Sequence, residues 1–184
     1  SNNMRKIILY IATSLDSFIA RTDGSIDFLD ALASPSNTED YGYNTLLGQI
    51  DSTLMGRKTY DSIMAMDMPF PYPDKKNYVF SRTQQQPSLD FVRWINDDVV
   101  NFVKNLKQQE GKDIWLIGGG TINTLLLNAQ LIDEIQLALV PIFLGEGIPL
   151  FEKPLRESTF AINKVKHCHT GLIMLQLLPR QLST

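Results

Sequence analysis

Apolar residues fall along the chain in short blocks whose spacing predicts strands and helices in turn. Residues 6–13 (KIILYIAT) are almost continuously apolar, which is typical of a central strand covered on both faces. Residues 113–117 (DIWLI) form a similar block, and three consecutive glycines follow it. Apolar positions then recur at helical spacing, which predicts a helix with one buried face. These positions are Ile122, Leu125, Leu126 and Ala129.

The same patterns predict the other elements. Further strands are predicted over residues 52–55, 77–80, 91–95, 134–140, 159–165 and 172–178. A short helix is predicted over residues 27–33, with Asp27 as its N-cap or as a first-turn acid. Further helices are predicted near Leu46, Leu47 and Ile50, from Arg57 through Tyr60, Ile63 and Met64, and from Asp97 or Asp98 to Gln108. Residues 34–43, 67–74 and 141–151 are predicted to be loops.

This order of elements predicts an α/β fold. Because strands and helices alternate early in the chain, we expect a mostly parallel mixed sheet with helices on both faces, which makes three layers, α-β-α. The last two predicted strands are joined near Thr170 and Gly171, so they should form an antiparallel pair. Residues 134–140 alternate apolar with polar or small side chains and are expected to be half-buried.

Length and charge then narrow the class of protein. A chain of 184 residues suits one domain, which we expect over residues 4–184 because Ser1, Asn2 and Asn3 before Met4 resemble an expression remnant. The net charge of −3 and the pI near 5.3 argue against a nucleic-acid binder. No apolar run approaches the length of a membrane span and no signal peptide is visible, so we expect a cytoplasmic protein without membrane partners.

The single cysteine, Cys168, lies between His167 and His169. One cysteine cannot form an internal disulfide, which fits a reducing compartment. The two histidines and the thiol are an alternative metal-ligand set, but in a strand their side chains would point to opposite faces. We therefore expect Cys168 to be a structural residue and expect no metal site.

The turn made by Gly118, Gly119 and Gly120 is the first candidate for chemistry. Glycines let the backbone approach a ligand, and the start of the following helix presents unpaired N–H groups that suit a phosphate. The alternative is a tight turn whose glycines serve packing alone. The glycine spacing does not match the Rossmann pattern. It does not match a P-loop either, because no Gly-Lys-Ser/Thr follows the glycines.

Two further strand ends carry cations and hydroxyls. The predicted strand over residues 52–55 runs into Gly56, Arg57, Lys58 and Thr59, and the dipole of the following helix disfavours cations at that position unless an anion is present. The strand over residues 77–80 runs into Ser81-Arg82-Thr83. Because ligands bind at the carboxyl ends of parallel strands, the three turns together predict a nucleotide or dinucleotide site.

Five motifs together resemble the dihydrofolate reductase superfamily, and the branch they most resemble is the reductase domain of the riboflavin-biosynthesis deaminase–reductase. The motifs are SLDSFIA at residues 14–20, MGRKTYDSI at 55–63, VFSRT at 79–83, IGGGT at 117–121 and PIFLGEGIPLF at 141–151. The resemblance covers nearly the whole chain. It implies a dihydrofolate-reductase-like fold and an NADPH-dependent oxidoreductase that transfers hydride to a C=N bond of a pyrimidine or pteridine-like ring.

The resemblance also implies which residues bind the cofactor NADPH. The nicotinamide side is implied for Ala12, Thr13, Ile19 and Ala20. The pyrophosphate and adenosine side is implied for Gly56, Arg57, Lys58, Thr59, Ser81 and Arg82, the last two at the 2′-phosphate. The glycine-rich turn is implied to hold the pyrophosphate through Ile117, Gly118, Gly119, Gly120, Thr121 and Ile122.

Two acids are implied for catalysis. Asp27, with Asp30 nearby, lies where the folate enzyme has a carboxylate on its first helix, and Asp67 lies in a weak match to an Ala-Asp-Asp-Pro motif. For Asp27 and Asp30 the alternatives are an N-cap and a solvated helix acid. The second functional hypothesis is accordingly a non-catalytic NADPH-binding module on the same fold. The apolar terminal strands and the resemblance also imply a homodimer.

Overall fold

The computed structural model describes residues 4–33, 36–83 and 89–180. The expected remnant at residues 1–3, two residues of the predicted 34–43 loop and the last four residues of the expected domain lie outside the described residues. The strands are β1 (Ile7–Thr13), β2 (Phe18–Ala20), β3 (Ile50–Gly56), β4 (Lys76–Phe80), β5 (Val92–Ile95), β6 (Asp113–Gly118), β7 (Glu134–Leu139), β8 (Ile148–Pro149), β9 (Phe160–His167) and β10 (Ile173–Pro179).

Eight of these strands form one mixed sheet in the order β5-β4-β3-β6-β1-β7-β10-β9. Every pair from β5 to β7 is parallel, and β10 is antiparallel to both β7 and β9. The expected parallel sheet with a final antiparallel pair is therefore confirmed. The short strands β2 and β8 form a separate antiparallel pair.

Helices cover both faces of the sheet and make the three expected layers. They are α1 (Tyr43–Gln49), α2 (Arg57–Met64), α3 (Val99–Gln108) and α4 (Gly120–Asn128). Helices α3 and α4 pack on one face against side chains such as Leu9 and Leu116, whereas α1 and α2 pack on the other face against Trp115 and Met55. Among the described residues, none of the helices has the length and apolar content needed to cross a membrane.

The predicted short helix over residues 27–33 is present as a 3-10 helix with Asp27 in its first turn. It packs Phe28, Leu29 and Leu32 on the sheet beside Ala12. Asp27 does not cap this helix through the backbone of the next turn: its carboxylate accepts hydrogen bonds from the side chains of neighbouring residues. At the start of α3, in contrast, the predicted cap Asp98 does accept a hydrogen bond from a backbone N–H, at 2.9 Å.

One predicted buried position, Leu125 of α4, is wrong, because its side chain is 40% exposed. Met64, predicted on one helical face with Tyr60 and Ile63, is 46% exposed. In α4 the buried side is shifted around the helix to include Asn123 and Leu127, because residues 150–152 pack on that flank as well as the sheet. A contact with a loop distant in the sequence leaves no mark in helical periodicity.

The strand β7 is more buried than its alternating pattern predicted. Glu134 and Ala138, expected on an open face, are 6% and 8% exposed. The reason is that β7 lies inside the sheet between β1 and β10, and Phe28 and Leu29 of the 3-10 helix cover the face that carries Ala138. The predicted loop over residues 141–151 also differs, since it contains β8.

At the amino ends of the strands, Arg5 ties three segments together. Its side chain is 4% exposed and pairs with the carboxylate of Asp51. Its guanidinium also donates to the Ser52 hydroxyl at 2.9 Å, to the carbonyl of Lys112 at 2.6 Å and to the carbonyl of Leu106 at 3.3 Å. This network joins the starts of β1, β3 and β6 to the end of α3.

Candidate functional site

The glycine-rich turn and the turn after β3 touch each other at the carboxyl edge of the sheet. Gly56 ends β3, and a methyl group added to it would lie 3.3 Å from Cγ1 of Ile122 and 3.9 Å from the backbone nitrogen of Gly119. A methyl group on Gly119 would lie 3.4 Å from the hydroxyl oxygen of Thr59. Strands β3 and β6 are parallel neighbours, which brings their ends together as expected.

Both helices that start at these turns have a glycine as the N-cap. Gly56 precedes α2 and Gly119 precedes α4, and neither makes a side-chain cap hydrogen bond. The first-turn N–H groups therefore receive no acceptor from an N-cap side chain, and such groups attract anions. The Gly118–Gly119 peptide bond, within the glycine-rich turn, is cis.

Arg57 joins the third predicted turn to this pair. Its Nε donates to the carboxylate of Asp61 at 3.0 Å, and its Nη1 donates to the Ser81 hydroxyl and the Thr83 carbonyl, both at 3.1 Å. The guanidinium also lies over the ring of Trp94, 5.3 Å from the ring centre. Asp61 offsets the charge at the helix start, so an external anion is not needed to explain this arginine.

The other two cations predicted for the site are exposed. Lys58 lies in the first turn of α2, and Arg82 follows Ser81 after the end of β4. Ile117 is half-buried on the opposite side of the sheet from α4, where it packs against Trp115 and Met55 and their neighbours. The carboxyl edge from β4 to β6 thus carries three cationic side chains beside two uncapped helix starts.

The residues predicted for the nicotinamide side lie at the ends of β1 and β2. Thr13 is 1% exposed and ends β1, next to the half-buried Ala12. Ala20 is 7% exposed and ends β2. A methyl group added to Gly119 would lie 3.8 Å from Cδ1 of Ile19. The Ile19 side chain of β2 therefore reaches the glycine-rich turn.

Residues 141–152, which we call the strap, connect these two parts of the site. From Ile142 to Leu150 the strap is bound to β2 and to the loop that precedes it. The backbone N–H of Leu15 donates to the carbonyl of Ile142 at 2.8 Å, and the N–H of Leu150 donates to the carbonyl of Ser17 at 3.0 Å. Between those bonds, β8 pairs with β2.

At its other end the strap is bound to the first turn of α4. The Nδ2 of Asn123 donates to the carbonyl of Leu150 at 3.1 Å. The N–H of Glu152 donates to the Thr124 hydroxyl at 2.7 Å, and the Thr121 hydroxyl donates to the Glu152 carboxylate at 2.9 Å. The strap therefore spans from the β1–β2 loop to the helix start.

Asp16 is the side chain that fixes the first end of the strap. Its carboxylate accepts hydrogen bonds from the N–H of Leu144 at 3.1 Å, the N–H of Gly145 at 2.8 Å and the Ser14 hydroxyl at 2.6 Å. The Ser14 hydroxyl oxygen in turn accepts from the N–H of Phe18 at 2.9 Å. The hydrogen bond from Ser14 contributes most to holding the pKa of Asp16 below its ordinary value.

Sequence reasoning assigned no role to Asp16 or to Glu152. A serine two residues before an aspartate, SLD, is a local signal for a side-chain-stabilised turn. The strap partners of Asp16 lie 128 and 129 residues away, and no local pattern indicates such a pairing.

The two predicted catalytic acids lie apart from each other and on the surface. The Asp27 side chain is 56% exposed and forms an ion pair with Arg21 at 2.6 Å. The hydrogen bond from Arg21 holds the pKa of Asp27 below its ordinary value, which favours the ionised form. Asp67 is exposed in the turn that follows α2, and Asp30 is exposed in the 3-10 helix.

Cys168 follows β9 directly and is buried with Ala138, Val140 and Leu172. Desolvation is the largest cause that raises its pKa, so the thiol is held in its neutral form. Among residues 4–33, 36–83 and 89–180, no group of three or more His, Cys, Asp and Glu side chains is arranged to hold a metal ion.

Comparison with known proteins gives a family match and structural neighbours. A family model described as the RibD C-terminal domain matches residues 5–174. The chain is 36% identical over 162 residues to a Bacillus subtilis (strain 168) protein, "Uncharacterized protein YwjB", and this match covers 88% of the chain and 91% of that protein.

Two solved structures extend this comparison. A putative riboflavin biosynthesis protein from Shewanella sp. PV-4 is 29% identical, with a TM-score of 0.86 over 96% of this chain and 99% of that one. A Thermotoga maritima diaminohydroxyphosphoribosylaminopyrimidine deaminase/5-amino-6-(5-phosphoribosylamino)uracil reductase is 14% identical, with a TM-score of 0.67 over 96% of this chain and 57% of that one. At that identity the second structure is a likeness of fold alone.

Proposed function

The chain belongs to the RibD C-terminal domain family, and from this premise we propose that it is an NADPH-dependent reductase. The proposed reaction is hydride transfer to a C=N bond of a pyrimidine or pteridine-like ring. The observation that carries the proposal is that the starts of α2 and α4, neither of which has a side-chain cap, lie together at one edge of the sheet. Arg57, in the first turn of α2, links this pair to Ser81 at the end of β4 through a hydrogen bond. That arrangement suits a ligand with several phosphates.

The residues at this edge fit the cofactor part by part. The first turns of α4 and α2 would hold the pyrophosphate through Gly119, Gly120 and Gly56, and Arg57 with Arg82 would hold the 2′-phosphate. When bound, NADPH would supply the hydride. The chain itself would orient the nicotinamide between the end of β1 and Ile19, and the buried surroundings of both would exclude water from that contact.

The substrate proposed is a ribosylaminopyrimidine or a pterin-like ring. The Shewanella structure, at 29% identity, is described as a putative riboflavin biosynthesis protein, which supports the pyrimidine. Asp27 is the proposed ring-binding acid. Its ion pair with Arg21 keeps it ionised, so it is better suited to accept a hydrogen bond from a ring N–H than to supply a proton. The proton for the ring nitrogen would then come from a solvent water molecule.

One observation favours the alternative, an NADPH-binding module without catalysis. The two predicted acids, Asp27 and Asp67, are both exposed, and a proton donor in a reductase is normally a desolvated acid with a raised pKa. The alternative keeps the whole cofactor site and differs only in the absence of turnover with any heterocyclic substrate.

A titration with NADPH and, separately, with NADH tests the cofactor assignment. We expect NADPH to raise the midpoint of thermal unfolding and NADH to raise it less, because only NADPH carries the 2′-phosphate that Arg57 and Arg82 would bind. Turnover with a ribosylaminopyrimidine would then separate the reductase from the binding module. No response to either dinucleotide would contradict both.

Replacing Arg57 with alanine should weaken NADPH binding about tenfold or more, since an arginine–phosphate contact contributes about 1.5–3 kcal/mol. The dissociation constant for NADH should change less. The exposed Arg93, which donates to the carbonyl of Asp90 on the edge strand β5, provides a matched control as Arg93→Ala. Cofactor fluorescence measures both constants, and equal losses for NADPH and NADH would contradict a contact with the 2′-phosphate.

We also propose a cytoplasmic homodimer whose subunits meet through the outer part of the sheet. Strand β9 is the last in the sheet, and its Ile162 and Val165 are 61% and 63% exposed on the face opposite the 3-10 helix. An open groove of about 380 Å³, lined by side chains such as Leu155 and Phe160, continues that apolar face. Contiguous apolar surface of this kind is characteristic of subunit contacts, and a second copy supplies an identical apolar face to cover it.

The homodimer is testable by Val165→Glu. A charge at this position should leave the fold intact but dissociate the dimer, because the carboxylate would be buried against an apolar surface. Sedimentation velocity should show the mass falling from two chains to one. Lys164→Glu, on the other face of β9, should leave the mass unchanged. A wild-type protein that sediments as a monomer would contradict the proposal.

A further inference from the structure

Asp16 is exposed to solvent on one side, yet its carboxylate is the acceptor for three hydrogen bonds from three different residues. Two come from the backbone N–H groups of Leu144 and Gly145 in the strap, and one comes from the hydroxyl of Ser14. Ser14 is 0% exposed, so the inner partner of the carboxylate is held firmly in the core. The carboxylate thus links the end of β1 to a segment that follows it by 128 residues in the chain.

Near its hydrogen bonds with Asp16, the strap packs closely against β2. A methyl group added to Gly147 would lie 2.3 Å from the carbonyl oxygen of Ala20 and 3.1 Å from Cβ of Phe18. Gly147 also has a φ of +156°, a conformation that side-chain-bearing residues rarely adopt. The position of β2, and with it the position of Ile19, therefore depends on where the strap is held.

We infer that Asp16 is a positioning residue for the nicotinamide half of the cofactor site. It holds the strap against β2, so that Ile19 keeps its place opposite the glycine-rich turn. The inference rests on the proposed function for the identity of the ligand, while the link between Asp16 and the strap rests on the contacts alone.

The chemistry of the link requires two acceptor oxygens. Oδ1 accepts from Ser14 and Leu144, and Oδ2 accepts from Gly145. Asparagine has the same shape but only one acceptor oxygen, and its NH₂ group would face a donor. Asp16→Asn should therefore release part of the strap without removing side-chain volume.

Hydrogen exchange of backbone amides tests the structural half of the inference. In Asp16→Asn, we expect exchange at Leu144 and Gly145 to accelerate about tenfold or more, since the loss of a charge-assisted hydrogen bond shifts a local opening equilibrium by that order. Asp98→Asn is the matched control. Asp98 accepts from the backbone N–H of Asn101 at the start of α3, and its replacement should leave exchange in the strap unchanged.

Two ligands test the cofactor half. Asp16→Asn should weaken NADPH binding about tenfold but change the affinity for adenosine 2′,5′-bisphosphate, which has no nicotinamide, less than about twofold. Equal weakening of both ligands would overturn the positioning role, because it would mean a general loss of structure. Unchanged exchange at Leu144 and Gly145 would also overturn it.

The same experiment separates this inference from the proposed function. If the wild-type protein binds neither NADPH nor the bisphosphate, the proposed function is overturned, and the cofactor role of Asp16 with it. If the wild-type protein binds both and Asp16→Asn binds both equally well, only the role of Asp16 is overturned.

Discussion

Gly120→Ala is expected to lower NADPH affinity about tenfold or more and to reduce the free energy of unfolding by about 1–3 kcal/mol. Gly120 begins α4, and the added methyl group would lie 2.6 Å from the carbonyl oxygen of Pro149 and 3.4 Å from Cγ of Glu152. Both neighbours are held in place. The Glu152 N–H and carboxylate are hydrogen-bonded to the same helix turn, and Pro149 pairs with Phe18 of β2. The methyl group must therefore displace either the strap or the start of α4.

Gly48→Ala is the control for this substitution. Gly48 lies inside α1, and a methyl group added to it would meet nothing within 4 Å. Alanine should raise the free energy of unfolding by about 0.5–1 kcal/mol there, because it restricts the unfolded chain and favours the helix. Urea denaturation measures stability and cofactor fluorescence measures affinity. If NADPH affinity is unchanged in Gly120→Ala, the start of α4 does not contact the cofactor.

Arg5→Leu should reduce the free energy of unfolding by about 2–4 kcal/mol while leaving NADPH affinity unchanged. Leucine fills much of the volume but removes the cation that pairs with the Asp51 carboxylate and the guanidinium donors to the carbonyls of Lys112 and Leu106. The Asp51 carboxylate keeps its hydrogen bonds from the Ser52 hydroxyl and the Lys112 N–H. Breaking a buried pair costs about 3–5 kcal/mol, and the loss should be smaller here because Asp51 is 39% exposed.

Urea denaturation at constant pH measures this loss, with Arg93→Leu as the control. Arg93 is exposed and makes one hydrogen bond, to the Asp90 carbonyl, so its replacement should change stability by less than about 0.5 kcal/mol. Similar losses in the two variants would mean that the Arg5 network does not stabilise the fold. A loss of NADPH affinity in Arg5→Leu would mean that the two edges of the sheet are coupled.

The sheet and its carboxyl edge were predictable because they depend on local patterns. Strand-like and helical apolar patterns that alternate along the chain indicate a parallel sheet. In a parallel sheet the turns after β3, β4 and β6 lie at the same edge. Gly56, Ser81 and Gly119 lie at that edge for this reason. The conclusion needed no knowledge of which side chains touch.

The tertiary partners of individual side chains were not predictable. Leu125 fits the helical pattern of α4 and is exposed, because the strap covers a different flank of that helix. Arg57 was expected to need an external anion, and Asp61, one turn further along the same helix, offsets its charge. Asp16 lies in the SLDSFIA motif, but two of its hydrogen-bond partners, Leu144 and Gly145, belong to the strap, which follows β7 and is distant in the sequence.

The Arg5 network and the glycine-rich turn lie at opposite ends of the same strands, and this separation matters for how the chain can change over evolutionary time. Substitutions in the turns and the strap alter what is bound at the carboxyl edge, while the ion pair and carbonyl contacts at the amino edge keep the sheet assembled. Substitutions in the turns and the strap that avoid tightly packed positions such as Gly120 and Gly147 then leave the stability provided by the amino-edge network unchanged. The loops that would select the proposed ligand and the network that holds the sheet together can therefore change independently of each other.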